Sequence, residues 1–213
     1  MNISKYIDHT NLKPNATKND IEKLCNEAKL NGFASVCVNP CNVALAKRLL
    51  KDSECLVCTV IGFPLGQNTT EIKIAETKAA LADGCDEFDM VINVGALKDN
   101  NLDYVKNEIL EVVNAANGKT VKVIIETGLL TEQEKITATK LVCDAKAHFV
   151  KTCTGVSPGA ATVEDVKLIK EHLSGNTKIK ASAGIKTREL ALGLIKAGAA
   201  RIGTSSGVEI IKE

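Results

Sequence analysis

The sequence predicts an α/β fold, a (β/α)₈ barrel formed as one domain over residues 1–213. Short runs of Val, Ile, Ala and Cys alternate with segments of helical periodicity along the whole chain. The runs are nearly continuously apolar, which is typical of parallel strands covered by helices on both faces. Eight runs and seven helices fit a closed barrel best. Because one sequence does not give the strand order, a doubly wound open sheet remains the alternative.

The predicted strands follow one another at a spacing near 28 residues, and the first is the weakest. They cover residues 6–10, 34–39, 56–61, 87–92, 121–126, 148–152, 178–182 and 200–204. In a barrel the active site lies at the carboxyl ends of the strands, so polar residues in those positions are the candidates for chemistry.

The predicted helices begin at residues that accept hydrogen bonds from a helix N-terminus and stop at glycine. The starts lie at or near Thr17, Asn42, Asn68, Leu102, Thr131, Thr162 and Thr187, with capping acids at Asp20, Glu71, Glu134 and Asp165. Stop signals stand at Gly32, Gly84, Gly118, Gly175 and Gly198. Residues 207–213 form a short tail.

Composition excludes several classes of partner. The 213 residues carry 27 basic and 26 acidic side chains, interspersed along the chain, so no basic patch predicts nucleic-acid binding. Aromatic residues make up only 3%, which leaves no stacking platform for single strands. The N-terminus lacks an apolar signal region, and no window reaches the roughly 18 apolar residues of a membrane span. We therefore expect a cytoplasmic protein without a membrane partner.

Two lysines end or approach the end of neighbouring predicted strands, Lys151 and Lys180. Adjacent strands lie about 4.8 Å apart, so the two amines could approach within roughly 5 to 6 Å. At an effective dielectric constant of about 20 their repulsion is about 3 kcal/mol, or roughly two pKa units. One amine would then be partly neutral near pH 7 and able to form a Schiff base with a carbonyl. Two solvated lysines at a barrel mouth are the alternative.

Asp89 is a carboxylate embedded in an apolar run, where it needs a partner. A lysine across the barrel is the natural one. Asp89 would then relay protons, or alternatively form a salt bridge that only orients the lysine. We expect no metal site, since the histidines and cysteines show no recognisable ligand spacing.

The last two loops of the predicted barrel are small and rich in hydrogen-bond donors. They cover residues 182–186, which include Lys186, and residues 203–207. Loops in these places often bind phosphate in barrel enzymes, so the sequence predicts a phosphorylated ligand.

Several motifs, in order along nearly the whole chain, resemble those of the deoxyribose-phosphate aldolase family. They are DHTNLKP at 8–14, VIGFPLG at 60–66, DEFD at 86–89, FVKTCTG at 149–155, IKASAGIK at 179–186 and GTSS at 203–206. The resemblance implies a class I aldolase without metal or cofactor. Its reaction would be the reversible cleavage of 2-deoxy-D-ribose 5-phosphate to D-glyceraldehyde 3-phosphate and acetaldehyde, in deoxyribose phosphate catabolism.

The resemblance also assigns roles to residues. It implies that Lys151 forms the Schiff base, that Lys180 perturbs it and that Asp89 relays protons. The implied substrate-binding residues are Cys37, Thr154, Gly155, Gly184, Lys186, Gly203, Ser205 and Ser206. A homo-oligomer, in particular a dimer, is implied as well.

Three positions depart from the family pattern: Ala183 replaces a usual glycine, Cys153 a usual serine and Lys186 a common arginine. The methyl group of Ala183 would restrict the phosphate loop if this position needs a positive φ. Two rival functions remain open from the residues alone. One is another lysine-dependent phosphosugar aldolase or transaldolase with a ketose donor, and the other is a phosphosugar-binding barrel without turnover.

Overall fold

The computed structural model describes residues 2–212, in which eight parallel strands close into a barrel. The strands are β1 Ile7–Asn11, β2 Ser35–Val38, β3 Leu56–Ile61, β4 Glu87–Val91, β5 Thr120–Ile124, β6 Phe149–Lys151, β7 Lys178–Ser182 and β8 Arg201–Thr204. They neighbour one another in sequence order, and β1 pairs with both β2 and β8. This closure confirms the predicted barrel and excludes the open sheet.

The helices form the outer layer. They are α1 Lys18–Asn31, α2 Val43–Leu49, α3 Thr70–Ala82, α4 Val94–Lys98, α5 Leu102–Ala115, α6 Glu132–Asp144, α7 Val163–His172, α8 Arg188–Ala197 and α9 Gly207–Lys212. Short 3₁₀ segments cover Ile3–Tyr6, Pro40–Asn42 and Thr127–Leu129. The sequence did not predict α4, which is only five residues long and follows β4 directly. It also predicted a short tail at residues 207–213, whereas Gly207–Lys212 forms helix α9. Within residues 2–212 no helix has the length and apolar character needed to cross a membrane.

Side-chain caps explain where most helices begin. Complete capping boxes join Thr17 to Asp20 at α1 and Thr131 to Glu134 at α6, as predicted. α3 begins near Asn68 as predicted, with Thr69 as its N-cap, but no side chain caps it. Gly32 ends α1 in the left-handed conformation, where the absence of a Cβ removes the steric penalty.

Buried apolar residues from the strands and the inner helix faces form the core between the two layers. Because the strands are parallel and covered on both sides, four-residue β2 is buried throughout. Five of the eight strands are one or two residues shorter than predicted. As a result Glu126 and Thr152 lie in loops beyond β5 and β6. Both loops open onto the same end of the barrel.

Candidate active site

A cavity of about 600 Å³ opens at the carboxyl ends of the strands. The loops after β1, β6, β7 and β8 form most of its wall. It brings together seven of the residues predicted from the sequence: Lys151, Thr154, Gly155, Gly184, Lys186, Gly203 and Ser205. Residues as far apart in the sequence as His9 and Ser205 thus share one space, as the barrel topology requires.

Four predicted residues are not part of the cavity wall. Asp89, Lys180 and Cys37 are fully buried beneath it, and Ser206 lies next to the lining residue Ser205. Asp89 and Lys180 are central residues of β4 and β7, not strand ends as expected. Their side chains point into the barrel, one layer below the mouth.

Asp89 binds three ammonium groups. Its Oδ2 accepts hydrogen bonds from Lys151 Nζ and Lys180 Nζ, each at 2.7 Å. Its Oδ1 accepts one from Lys122 Nζ at 2.8 Å. The amines of Lys151 and Lys180 contact the same oxygen, so they lie no farther apart than twice 2.7 Å. This agrees with the spacing expected from neighbouring strands, whose register pairs these two lysines directly.

Further charges extend this arrangement across the barrel interior. Lys180 Nζ also lies 2.6 Å from Asp8 Oδ2, and Lys122 Nζ lies 2.8 Å from Glu87 Oε2. Arg201 bridges Asp8 and Glu87. We call these seven residues the buried charge cluster: Asp8, Glu87, Asp89, Lys122, Lys151, Lys180 and Arg201.

The electrostatics of the cluster keep its innermost members ionised. Burial tends to raise the pKa of Asp89, but Lys122, Lys151 and Lys180 outweigh it and hold that pKa well below its usual range. Burial tends to lower the pKa of Lys180, but the carboxylates of Asp8 and Asp89 outweigh it and raise that pKa above its ordinary value. Lys180 is therefore a persistent cation beside Lys151.

Lys151 differs from the other cations of the cluster. Among residues 2–212 the cluster unites four cationic side chains with three carboxylates, so positive charge is in excess. Lys122, Lys180 and Arg201 each pair with at least two carboxylates, whereas Lys151 pairs with Asp89 alone. Lys151 is also the one cation of the cluster that lines the cavity. It is the amine of the cluster that is placed to reach a ligand.

Cys37, Cys58 and Asp89 offer ligand atoms within 4.8 Å of one another, a grouping that sequence spacing did not reveal. Ammonium groups occupy its surroundings, since Lys122 Nζ lies 2.8 Å from Asp89 Oδ1 and 3.2 Å from Cys58 Sγ. A divalent cation there would face strong repulsion. A hydrogen bond from Cys58 lowers the pKa of the Cys37 thiol, and burial raises that of Cys58.

The loops after β7 and β8 form part of the cavity wall. Ala183 has a φ of +84°, so this position does require the left-handed region that the family's glycine favours. Gly203 allows a close approach, because a Cβ there would lie 2.2 Å from Ser182 Oγ and 3.1 Å from Lys180 Cε. Ser182 Oγ is buried without a hydrogen-bond partner in the described chain and lines the cavity. A ligand's oxygen could satisfy it.

Sequence reasoning missed Lys122, Glu87, Arg201 and Cys58 as neighbours of the site. Lys122 is fully buried between Val121 and Val123 in β5. A lysine in the middle of an apolar strand was the available signal, since such a charge needs a buried partner. The prediction considered strand ends and therefore passed over it.

Comparisons with known proteins agree on one family. The model of the DeoC/LacD family aldolases matches residues 3–213. A deoxyribose-phosphate aldolase of Thermoanaerobacter sp. (strain X514) is 57% identical, covering 100% of this chain and 97% of that protein. One from Staphylococcus epidermidis is 58% identical, covering 100% and 96%.

Solved structures give the same result. A tetrameric deoxyribose phosphate aldolase from Aeropyrum pernix superposes with a TM-score of 0.91 at 31% identity, covering 99% of this chain and 89% of that one. Another solved aldolase reaches a TM-score of 0.95 at 42% identity, covering 99% and 94%. Both matches extend over nearly the whole barrel.

Proposed function

The chain belongs to the DeoC/LacD family of aldolases, and we propose that it is a class I aldolase acting on 2-deoxy-D-ribose 5-phosphate through a Schiff base on Lys151. The products are D-glyceraldehyde 3-phosphate and acetaldehyde, and the reaction is reversible. The observation that carries the proposal is the position of Lys151. It lines the cavity, has one carboxylate partner and shares that partner's oxygen with the persistent cation Lys180.

The excess positive charge of the buried charge cluster supplies the neutral amine. Deprotonating one ammonium group removes that excess, and Lys151 has the fewest carboxylates to hold its proton. Its neutral amine attacks C1 of the open-chain sugar, and loss of water gives an iminium ion. A nearby cation is a known way of activating a lysine for this chemistry.

The iminium ion then accepts electrons as the C2–C3 bond breaks. A base removes the proton of the C3 hydroxyl, and the phosphorylated three-carbon aldehyde leaves. The remaining enamine takes up a proton at its terminal carbon, and water hydrolyses the resulting iminium ion to acetaldehyde and free Lys151. Protons must therefore reach and leave the nitrogen of Lys151 repeatedly.

Asp89 is suited to relay those protons rather than only to orient the lysine. Its Oδ2 accepts a hydrogen bond from Lys151 and one from Lys180, so it can take up a proton that leaves the Lys151 amine and return it while Lys180 stays charged. Because Asp89 is fully buried, the relay reaches the cavity through Lys151. The arrangement excludes bulk water from the carboxylate, which strengthens these interactions.

The phosphate is proposed to lie against the loops after β7 and β8. Gly184, Lys186, Gly203 and Ser205 line this part of the cavity, with Ser206 behind, and Ser182 offers an unpartnered hydroxyl. Cys37, Thr154 and Gly155 complete the proposed substrate contacts, Cys37 from beneath the cavity. The lysine at 186 supplies a point charge in place of the bidentate group of an arginine.

Ser205→Asp tests the phosphate position. A carboxylate at 205 would repel the phosphate, so KM for deoxyribose 5-phosphate should rise about tenfold or more, with little change for unphosphorylated deoxyribose. Ser205→Asn is the matched neutral control. Equal effects of the aspartate on both substrates in steady-state kinetics would place the phosphate elsewhere.

Trapping with borohydride tests the reaction itself. The protein is incubated with acetaldehyde and EDTA, reduced and digested, and the adduct is located by mass spectrometry. We expect a two-carbon adduct on Lys151 and turnover of deoxyribose 5-phosphate in the same buffer. Trapping by a ketose but not by acetaldehyde would favour a transaldolase-like enzyme, and neither adduct nor turnover would favour a binding barrel.

We also propose where this activity resides and how the chain assembles. We place the activity in one barrel domain, residues 1–213, of a cytoplasmic enzyme of deoxyribose phosphate catabolism. The relative from Aeropyrum pernix is a tetramer, and we propose that this chain also self-associates, with the dimer as the unit expected from the family. Light scattering coupled to gel filtration measures this directly.

A further inference from the structure

We propose that Glu126 is a positioning residue that fixes the loop after β6, and that this loop holds the part of the cavity occupied by the phosphate-bearing half of the substrate. The inference rests on the proposed function, which places the Schiff base on Lys151 immediately before that loop. Glu126 itself does not line the cavity with Lys151, so any effect on the reaction must pass through the loop.

The backbone and side chain of Glu126 are both in unfavourable settings. Its φ of +59° and ψ of +64° lie in the left-handed region, which a residue with a Cβ rarely adopts. Its side chain is buried, with the residue only 1% exposed. A strained backbone and a buried carboxylate persist only where their surroundings compensate for both.

Thr154 provides the compensation. Glu126 Oε1 accepts a hydrogen bond from the backbone N–H of Thr154 at 3.0 Å, and Oε2 accepts one from Thr154 Oγ1 at 2.6 Å. The threonine hydroxyl in turn accepts the N–H groups of Val156 at 3.1 Å and Ser157 at 3.3 Å. A hydroxyl has one proton and two lone pairs, so Thr154 uses its full capacity by donating to Glu126 and accepting both amides.

The two loops also fit each other through their backbones. A Cβ at Gly128 would lie 2.1 Å from the carbonyl oxygen of Pro158, so only glycine permits this contact. The N–H of Thr127 donates to the carbonyl of Thr152 at 3.0 Å, and that of Ile125 to the carbonyl of Lys151 at 3.0 Å. The backbone of Lys151 is therefore held independently of the Glu126 carboxylate.

The far side of the loop packs against the proposed phosphate loop. The N–H of Ala161 donates to the carbonyl of Ala183 at 3.0 Å, and a Cβ at Gly184 would lie 2.8 Å from the Cβ of Ala160. Thr154 and Gly155 line the same cavity as Gly184. Loosening the Glu126–Thr154 contact should therefore disturb the phosphate-bearing half of the substrate more than the amine of Lys151.

Glu126→Gln tests this at nearly constant side-chain volume. The side-chain amide replaces one acceptor oxygen by a donor, so it can accept only one of the two hydrogen bonds that Thr154 donates. We expect kcat/KM for deoxyribose 5-phosphate to fall about tenfold or more, while the rate of acetaldehyde trapping on Lys151 stays within about twofold of wild type. Thr154→Val also removes a proposed substrate contact, so it should lower kcat/KM at least as much, and the double variant should be no worse than Thr154→Val alone. Glu132→Gln, at an exposed carboxylate in the first turn of α6, should change neither rate.

Two results would overturn the inference. One is an equal fall of the trapping rate and of kcat/KM in Glu126→Gln, since the residue would then act on the lysine or on folding. The other is additive losses in the double variant. Hydrogen exchange separates this inference from the proposed function, because the amides of Val156 and Ser157 should lose protection in both single variants whatever the substrate. Retained protection would contradict the role proposed for Glu126 in fixing the loop. A wild type that forms no two-carbon adduct would contradict only the proposed function.

Discussion

Two groups of buried charges in this barrel differ in balance and in access. Lys73 on α3 and Glu108 on α5 form a one-to-one pair at 2.7 Å, both fully buried, and Lys73 also donates to two backbone carbonyls. The buried charge cluster has more cations than carboxylates, and one of its lysines lines the cavity. Burial alone therefore does not mark a reactive lysine.

The pKa shifts of the two groups run in opposite directions. Burial lowers the pKa of Lys73 more than Glu108 raises it, and burial raises the pKa of Glu108. In the cluster the countercharges outweigh burial, so the pKa of Lys180 is raised and that of Asp89 lowered. Lys73 is fully buried and does not line the cavity, so a substrate there cannot contact it. A nucleophilic amine requires both an unbalanced cluster and an opening to the cavity.

Lys151→Ala gives the largest expected effect on this comparison. The variant cannot form a carbon–nitrogen bond at position 151, so acetaldehyde trapping should be absent at every pH. Lys73→Met is the matched control, and its folded protein should be trapped on Lys151 at the wild-type rate. A borohydride-stable adduct at residue 73 or 180 in Lys151→Ala, seen by mass spectrometry, would contradict the distinction between the two groups.

Lys73→Met should instead act on stability. Removing one partner leaves Glu108 buried and uncompensated, which costs about 3 to 5 kcal/mol in the free energy of unfolding. The double variant Lys73→Met/Glu108→Leu should recover much of that loss, since an apolar pair can replace a buried ion pair. Urea unfolding measures both values. A single variant as stable as wild type would show that the pair contributes nothing to the fold.

Acidification should produce the smallest effect, and its sign differs between the two groups. Asp8 and Asp89 have lowered pKa values in the folded protein. Their ionised forms therefore add to the free energy of unfolding above about pH 3.9, and this stabilisation is lost as the pH falls through their folded pKa values. Glu108 has a raised pKa in the folded protein, so its protonated form stabilises the fold at low pH and this stabilisation is lost as the pH rises. The free energy of unfolding, measured in urea, should therefore fall in wild type as the pH is lowered from about 5 to about 3. In Lys73→Met/Glu108→Leu, which lacks the opposing effect of Glu108, this fall should be at least as steep. A shallower fall in that variant would contradict these signs.

The barrel was predictable because its signals are local. Apolar runs show strands covered on both faces, and Thr17 and Thr131 with their capping acids show where α1 and α6 begin. Local signals failed where a single turn of helix follows a strand, as at α4.

The candidate site was predictable only in part. Lys151 and Lys180 lie on consecutive strands, which are neighbours in a closed barrel, so their nearness could be expected. The contacts of Lys122 could not be predicted, because they depend on which side chains the closed barrel points toward its axis. The glycine that is usual in the family suggested that position 183 needs a positive φ, and Ala183 does adopt one.

The pH dependence of adduct formation in wild type and in Lys180→Met tests the central claim most directly. Without Lys180 the excess positive charge of the cluster disappears, and with it the repulsion beside the Lys151 amine. At pH 7 the rate of acetaldehyde trapping should fall as much as about a hundredfold, and part of it should return as pH is raised toward about 9 or 10. The same rate and the same pH profile in both proteins would show that Lys180 does not activate Lys151, and an adduct on Lys180 in wild type would reverse their roles.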